Sequence, residues 1–137
     1  MGGTFRVGRV AGVEVRVHWS VLVIFVLIAT GLSVGSFPQA YPGYSGAAYA
    51  LAGLVAAVAF LGGLLAHEVS HAVVARRNGI EVEDITLWLF GGVAQLHGDP
   101  RDPGAELRVA GVGPLVSLLL GLGTGAIAVG LAAAGVS

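Results

Sequence analysis

The sequence lacks cysteine, and this absence excludes a disulfide framework, a thiolate metal site and a cysteine nucleophile. Any bound metal must therefore use nitrogen and oxygen ligands. Charge is scarce as well, since 11% of the residues are charged where an ordinary soluble domain has about 25%. The formal net charge is -1, without a basic tail, so we expect no nucleic-acid partner.

What the sequence has instead is apolar residues, 55% of the chain, gathered into long runs. A helix needs about 20 apolar residues to cross a bilayer, and three such runs extend over about residues 19–34, 47–75 and 109–136. They predict a single membrane domain over residues 1–137, embedded in a lipid bilayer. For the first run, a cleaved signal peptide is the alternative, because basic residues precede it and small residues end it.

Arginine accounts for all seven basic residues, which fall into two groups. One group precedes the first run and the other lies between the second and third: Arg6, Arg9 and Arg16, and then Arg76, Arg77, Arg101 and Arg108. Three spans put both groups on one side of the membrane, which the positive-inside rule makes cytoplasmic. We therefore expect a multi-pass protein of the cell membrane with a cytoplasmic N-terminus.

The segment between the second and third runs has a different pattern. Over residues 81–97, β-branched and aromatic residues predominate and the pair Gly91 and Gly92 interrupts them, which favours a β-hairpin or a re-entrant loop. A lone hairpin would expose unpaired strand edges to lipid, so it must lie at the interface or inside the protein. The expected fold class is an all-α membrane protein, with three transmembrane helices and a short membrane-associated β-loop between the second and third.

Residues capable of chemistry concentrate near the end of the second run, in the sequence HEVSH. His67 and His71 are four residues apart, so a helix presents both imidazoles on one face, where they can bind one metal ion. Zinc is the cation that suits two histidines and a carboxylate. In this arrangement Glu68 does not bind the metal. It takes a proton from the metal-bound water that attacks a peptide carbonyl and passes it to the leaving amine.

The alternative for HEVSH is a polar stripe whose side chains reach the interface from a helix end. Each ionisable group inside a span costs roughly 2.5 to 3.5 kcal/mol on insertion scales. Three such groups together in an apolar run therefore indicate a functional site, and one zinc ion is its expected occupant. A metal transporter that uses His67 and His71 as a transit site is a weaker hypothesis, because it gives Glu68 no clear task.

Around these residues the chain resembles the site-2 protease family, the intramembrane zinc metalloproteases that cut substrate helices within or near the bilayer. Four stretches carry the resemblance in the family's order: VHWS at 17–20, HEVSHAVVARRNGI at 67–80, ITLWLFGGVAQL at 85–96 and AGVGPLVSLLLGLG at 110–123. The resemblance implies regulated intramembrane proteolysis of membrane-anchored proteins, with the active-site end cytoplasmic. His67 and His71 would be the zinc ligands and Glu68 the general base.

The resemblance also implies a substrate-binding segment. Gly91, Gly92, Val93 and Ala94 match the family's membrane-associated β-segment, which holds an unwound substrate by strand addition. Unwinding is needed because a helical peptide hides its carbonyls from water. Ser117 aligns with a position that is often asparagine in the family, and its hydroxyl is expected to bond the substrate or the reaction intermediate. Packing of a small residue between two helices is the alternative for Ser117.

One departure from the family concerns the third zinc ligand. In the family this ligand is an aspartate of a later span, within a pattern resembling NPxDG, which these 137 residues lack. Catalytic zinc sites normally have three protein ligands. The polar residues on the predicted cytoplasmic side do not match the family's ligand position: His18, His97, Asp99, Asp102 and Glu106. We interpret the chain as an incomplete protease core. An inactive paralogue or a non-catalytic membrane binding module is the alternative.

Overall fold

The computed structural model describes residues 3–89, 91–99 and 102–135. Its elements in chain order are β1 (Thr4–Val10), β2 (Val13–His18), α1 (Ser20–Thr30), a π-helical segment (Gly31–Ser36), α2 (Phe37–Ala40), α3 (Gly46–Arg77), β3 (Glu81–Trp88), β4 (Gly91–His97) and α4 (Pro103–Ala133). Three helical stretches are long and apolar enough to cross a membrane: Ser20–Ala40, Gly46–Arg77 and Pro103–Ala133. The expectation of three long apolar helices is confirmed.

The expected fold class is confirmed in part, because the chain is mostly helical but its described residues also contain four strands, which form one sheet in the order β1-β2-β3-β4. The pairs β1–β2 and β3–β4 are antiparallel, and β2–β3 is parallel. In β2, Val13, Val15 and Val17 alternate with polar residues, which is the period of a half-buried strand. The hairpin expected within residues 81–97 is present as β3 and β4. It is not a lone hairpin, because β2 pairs with one of its edges.

Two helix boundaries differ from the expected spans. The first helical stretch continues past residue 34, through the π-helical segment, to Ala40. The third helix begins at Pro103, earlier than the expected residue 109, because Asp102 caps it. The Asp102 carboxylate accepts the backbone N–H of Ala105 at 2.7 Å, and proline suits the first helical position. The expected end of the third span, residue 136, lies outside the described residues.

The sheet packs against the C-terminal half of α3. Its buried face contributes Val13, Ile85 and Leu87, which form one cluster with Ala72 of α3 and Val21 of α1. Ala72 has no exposed surface, and its methyl side chain lets the helix and the sheet approach closely. This contact holds the sheet beside the part of α3 that carries the HEVSH sequence.

The outer surfaces of the long helices are apolar. Leu118, Leu122 and Ile127 of α4 are more than half exposed, as are Leu51 and Val58 of α3. In water, so much contiguous apolar surface would favour aggregation. Hydrocarbon covers such side chains without cost, while the helices satisfy their own backbone hydrogen bonds. These helices therefore have the surface that a bilayer requires.

Candidate metal centre

Two imidazole rings meet on one face of α3. The rings of His67 and His71 have centroids 4.8 Å apart and an interplanar angle of 75°. Their Nε2 atoms are separated by 3.2 Å, and both residues are half-buried. Because residues four apart on a helix lie one above the other, this convergence follows from the spacing of the two histidines in the sequence.

The other nitrogen of each ring contacts α4. Nδ1 of His67 lies 2.8 Å from the hydroxyl oxygen of Ser117, and the Nδ1–H of His71 donates to the backbone carbonyl of Val109 over 2.5 Å. Because a carbonyl can only accept, a neutral His71 ring has its proton on Nδ1 and its lone pair on Nε2. Partners of this kind fix the tautomer and orientation of metal-binding histidines.

The two facing nitrogens fit one zinc ion. Zinc binds histidine nitrogen at about 2.0–2.1 Å with tetrahedral angles, which separates two such ligands by about 3.3 Å, and the observed separation is 3.2 Å. Two imidazole nitrogens this close need a proton or a cation between them. Over the described ranges, no group of three His, Cys, Asp or Glu side chains is arranged around a metal position. His67 and His71 are therefore two candidate ligands of a site that needs a third.

The close approach of α4 to the imidazole pair depends on Gly113, which is buried. A Cβ atom at this position would lie 2.2 Å from Nε2 of His71 and 2.7 Å from Nε2 of His67. Any side chain here would displace the rings. Sequence reasoning did not identify Gly113. Its place before Pro114 was visible, but no sequence pattern indicates that it faces the histidines.

Glu68 lies against the beginning of β4. A Cβ atom at Gly92 would be 2.2 Å from Cγ and 2.9 Å from Oε1 of Glu68, so glycine alone allows the backbone to pass this side chain so closely. Gly91 has a φ angle of 124°, which residues with a side chain rarely adopt. The two adjacent glycines therefore have different structural roles, since Gly91 turns the chain and Gly92 makes room for Glu68.

The rest of the expected substrate-binding segment divides between the core and the edge of the sheet. Ala94 packs against the hydrophobic cluster under the sheet, and the side chain of Val93 lies outside the described part. β4 is the last strand of the sheet, and no strand among the described residues pairs with its outer edge. A free edge of this kind can accept an added strand.

One cavity joins these features. It has a volume of about 840 Å³ and is walled by α3, β4 and α4. Five residues singled out from the sequence line it: His67, Glu68, Gly91, Gly92 and Ser117. Much of the remaining lining is small or apolar, so the cavity has space for an extended peptide segment and water beside the histidine and the glutamate.

The other polar residues considered as ligands have different surroundings. Nδ1 of His18 contacts a neighbouring serine hydroxyl at 2.7 Å, and Asp102 caps α4. Asp99 and Glu106 are exposed, and the side chain of His97 lies outside the described part. Among the side chains that the structure describes, none of these joins the imidazole pair in a metal-binding group.

The chain is similar to known proteins. The profile of Peptidase family M50 matches residues 55–135. Rip3 of Mycobacterium tuberculosis, a proposed zinc metalloprotease, is 50% identical over 132 residues, which are 96% of this chain and 33% of that protein. The Synechocystis protein sll0528, also a proposed zinc metalloprotease, is 38% identical over 125 residues, 90% of this chain and 32% of that protein.

A solved structure is similar as well. The site-2 protease from Methanocaldococcus jannaschii matches with a TM-score of 0.60 and 26% identity, over 87% of this chain and 48% of that one. This chain spans about a third of the length of the curated relatives it matches. The matched profile includes both histidines, Glu68, the β3–β4 hairpin and α4. The chain therefore belongs to Peptidase family M50, and its resemblance to the site-2 proteases is confirmed.

Proposed function

We propose that this chain carries the zinc-binding and proton-transfer part of an intramembrane metalloprotease that hydrolyses peptide bonds in membrane-anchored proteins. The observation that carries the proposal is the convergence of the two histidine Nε2 atoms, 3.2 Å apart. His67 lines a cavity that also contains Glu68 and the start of β4. A metal, a base and a place for an extended peptide are the parts that such a hydrolysis needs.

The first part is the metal site. His67 and His71 would hold one zinc ion through Nε2, while Ser117 and the carbonyl of Val109 fix the two rings. A bound zinc ion polarises a carbonyl group and activates water near neutral pH. Because catalytic zinc takes three protein ligands, the third comes from outside the described residues. An aspartate of a later span is the ligand that the resemblance to the site-2 proteases implies.

The second part is the base. Glu68 adjoins His67 in the sequence, and its carboxylate accepts a proton from the attacking water and then donates it to the leaving amine. The backbone at Gly92 limits this side chain on one side. That contact reduces the number of conformations available to the carboxylate and so favours a base that is held in position.

The third part is the edge that binds the substrate. The outer edge of β4 begins at Gly91 and Gly92, beside Glu68. A substrate segment that leaves its helix exposes its carbonyls, and pairing with β4 as an added strand keeps it extended next to the base. For Ser117 we propose a different role from the one expected from the sequence. Its hydroxyl orients His67, since it contacts Nδ1 of that ring.

The site lies at the end of the helices where the arginines are found. Arg76 and Arg77 end α3, and Arg108 lies in the first turns of α4. By the positive-inside rule this end is cytoplasmic. We therefore infer that cleavage takes place near the cytoplasmic face of the membrane.

Cleavage of a membrane-anchored reporter by the complete gene product tests the proposal. Glu68→Gln keeps the size of the side chain and removes the base, so cleavage should fall by about 10²- to 10⁴-fold while bound zinc stays unchanged. Glu81→Gln is the matched control, because Glu81 is an exposed glutamate on β3, and it should cleave as the wild type does. Equal cleavage by the wild type and Glu68→Gln would contradict the mechanism.

A non-catalytic membrane binding module is the second candidate. One observation favours it, namely that the described residues contain no group of three side chains that could hold a metal ion. This candidate predicts no tightly held zinc in the purified protein. Stoichiometric zinc that is lost in His71→Ala would exclude the binding module, whereas a metal-free protein that still binds membrane helices would support it.

A further inference from the structure

A buried serine connects the start of the first span to the end of β3. Ser20 is the first residue of α1 and is 6% exposed. Its Oγ accepts the backbone N–H of Leu89 at 2.8 Å and lies 2.7 Å from Nδ1 of His18. Ser20 and Leu89 are distant along the chain, so this hydrogen bond ties together two separate parts of the fold.

The donor and the acceptor of each hydrogen bond around Ser20 can be assigned. The backbone N–H of Ser20 donates to Nδ1 of His18 at 3.2 Å, so Nδ1 is an acceptor and a neutral His18 ring has its proton on Nε2. The Ser20 hydroxyl therefore donates to the same Nδ1 and keeps its lone pairs for the N–H of Leu89. His18 orients the hydroxyl, and the hydroxyl holds Leu89.

Leu89 follows the last residues of β3 that pair with β2. The parallel pairing between β2 and β3 ends at Val17 and Leu87, and β3 itself ends at Trp88. The hydrogen bond that Leu89 donates to Ser20 therefore fixes the chain after the last pair of the β2–β3 ladder. Without it, the pairing with β2 would not reach the turn that leads into β4.

The strand after this turn is the one that contacts Glu68. Gly91 begins β4, and Gly92 passes so close to Glu68 that a Cβ atom would lie 2.2 Å from its Cγ. Because the connection from Leu89 to Gly92 is short, a displacement of Leu89 moves the start of β4 relative to the glutamate. The hydrogen bond of Ser20 therefore acts on the geometry of the site from outside it.

We propose that Ser20, oriented by His18, is a positioning residue for the β3–β4 turn. It fixes the start of β4 against Glu68 and so aligns the edge at which an extended substrate pairs. The catalytic part of this inference rests on the proposed function, whereas the anchoring of Leu89 does not. Residues of the VHWS sequence thus help to position the site, in addition to forming the start of the first span.

Amide hydrogen exchange of the complete gene product, without substrate, tests the anchor. In Ser20→Ala the amide of Leu89 loses its acceptor and should exchange about tenfold faster, while the amides of α3 keep their wild-type protection. Ser36→Ala is the matched control, because Ser36 is exposed and lies near the other end of the same span. Wild-type protection of Leu89 in Ser20→Ala would overturn the proposal.

Kinetics test the link to catalysis. In Ser20→Ala we expect kcat for the membrane-anchored reporter to fall about tenfold, because a small misplacement of the reacting groups is costly, with bound zinc unchanged. Ser20→Thr keeps the hydroxyl and should restore both the protection of Leu89 and kcat. Faster exchange with wild-type kcat would contradict the positioning role. If the wild type does not cleave the reporter, the proposed function fails and the exchange result still decides the anchor.

A second variant keeps the test decisive if Ser20→Ala does not accumulate in membranes. His18→Phe keeps a ring of similar shape but removes the acceptor that orients the Ser20 hydroxyl. Leu89 should then exchange faster than in the wild type, though by less than in Ser20→Ala, because Ser20 Oγ is still present. Unchanged exchange in His18→Phe would overturn the orienting role of His18.

Discussion

The two walls of the cavity are held by different means. In the helical wall, formed by α3 and α4, the ring of His71 donates a hydrogen bond to the carbonyl of Val109, and the ring of His67 contacts the hydroxyl of Ser117. In the sheet wall, formed by the start of β4, Gly92 lies against Glu68, and Leu89, shortly before this strand, donates its backbone N–H to the hydroxyl oxygen of Ser20. The orientation of the two candidate ligands thus depends on helix packing, and the position of the candidate base depends on the sheet.

This difference implies that substitutions in the two walls impair different properties of the protein. A substitution in the helical wall should weaken zinc binding and, through it, cleavage. A substitution in the sheet wall should leave zinc in place and impair cleavage alone. Measuring bound zinc and cleavage on the same preparation of each variant therefore distinguishes the walls. A sheet-wall variant that loses zinc, or a helical-wall variant that keeps it, would contradict this distinction.

The largest effect is expected in the helical wall from His71→Ala. This variant loses one of the two proposed nitrogen ligands, so zinc should no longer copurify in stoichiometric amount. Cleavage should fall by roughly 10³-fold or more, because a catalytic metal ion supplies several kcal/mol of transition-state stabilisation. Metal analysis by mass spectrometry and reporter cleavage check both results. Full zinc occupancy in His71→Ala would show that this ring is not a ligand.

The next effect is expected from Gly113→Ala. The added methyl group would meet Nε2 of His71 and of His67, and overpacking of this kind costs about 1–3 kcal/mol. Zinc affinity should therefore fall by roughly tenfold to 100-fold, while α4 itself is not destabilised because alanine favours helix. Gly111→Ala is the matched control, since its Cβ position faces open space within the described part of the protein. Equal zinc affinity in the two variants would contradict the close approach of α4.

The sheet wall is tested by Gly92→Ala. Its methyl group would overlap Cγ and Cδ of Glu68, so the carboxylate must move away from its position. We expect cleavage to fall about tenfold or more, as for other small misplacements of catalytic groups, while zinc affinity stays at the wild-type value. Competition with a chelator measures that affinity. Loss of zinc in Gly92→Ala would show that the two walls are not independent.

The smallest effect is expected from Ser117→Ala. The ring of His67 would lose the partner of Nδ1 but keep its place on α3, and removal of such an outer partner lowers metal affinity by about 10- to 100-fold. We expect the lower end of this range, because a hydroxyl is a weaker partner than a carboxylate. Thr124→Ala is the control, since the hydroxyl of Thr124 bonds within α4, to the carbonyl of Leu120 at 2.8 Å. Wild-type affinity in Ser117→Ala would leave His67 without the proposed orienting contact.

The part of the site that lies on one helix could be predicted from the sequence. His67 and His71 are four residues apart, so the helical period alone brings their rings to one face. The contacts of Gly113 and Ser117 could not be predicted in the same way, because they depend on how closely α4 crosses α3. The contact between Gly92 and Glu68 likewise depends on the packing of the sheet on α3, which no local pattern encodes.

The prediction of the fold from the sequence has the same limit. The three long apolar helices follow from the lengths of the apolar runs, since each must satisfy its own backbone in lipid. β1 and β2 were not predicted, although the alternation of Val13, Val15 and Val17 was a visible signal for a strand. The pairing of β2 with β3 joins Val15 to Ile85, and such distant pairings require a register that only the folded chain specifies.

X-ray absorption at the zinc edge of the purified complete gene product tests the central claim most directly. The account predicts imidazole nitrogens among the zinc ligands at about 2.0–2.1 Å, with the imidazole contribution reduced in His67→Ala and in His71→Ala. A zinc environment without imidazole nitrogen, or one that neither substitution changes, would contradict the convergence of His67 and His71 on a single ion.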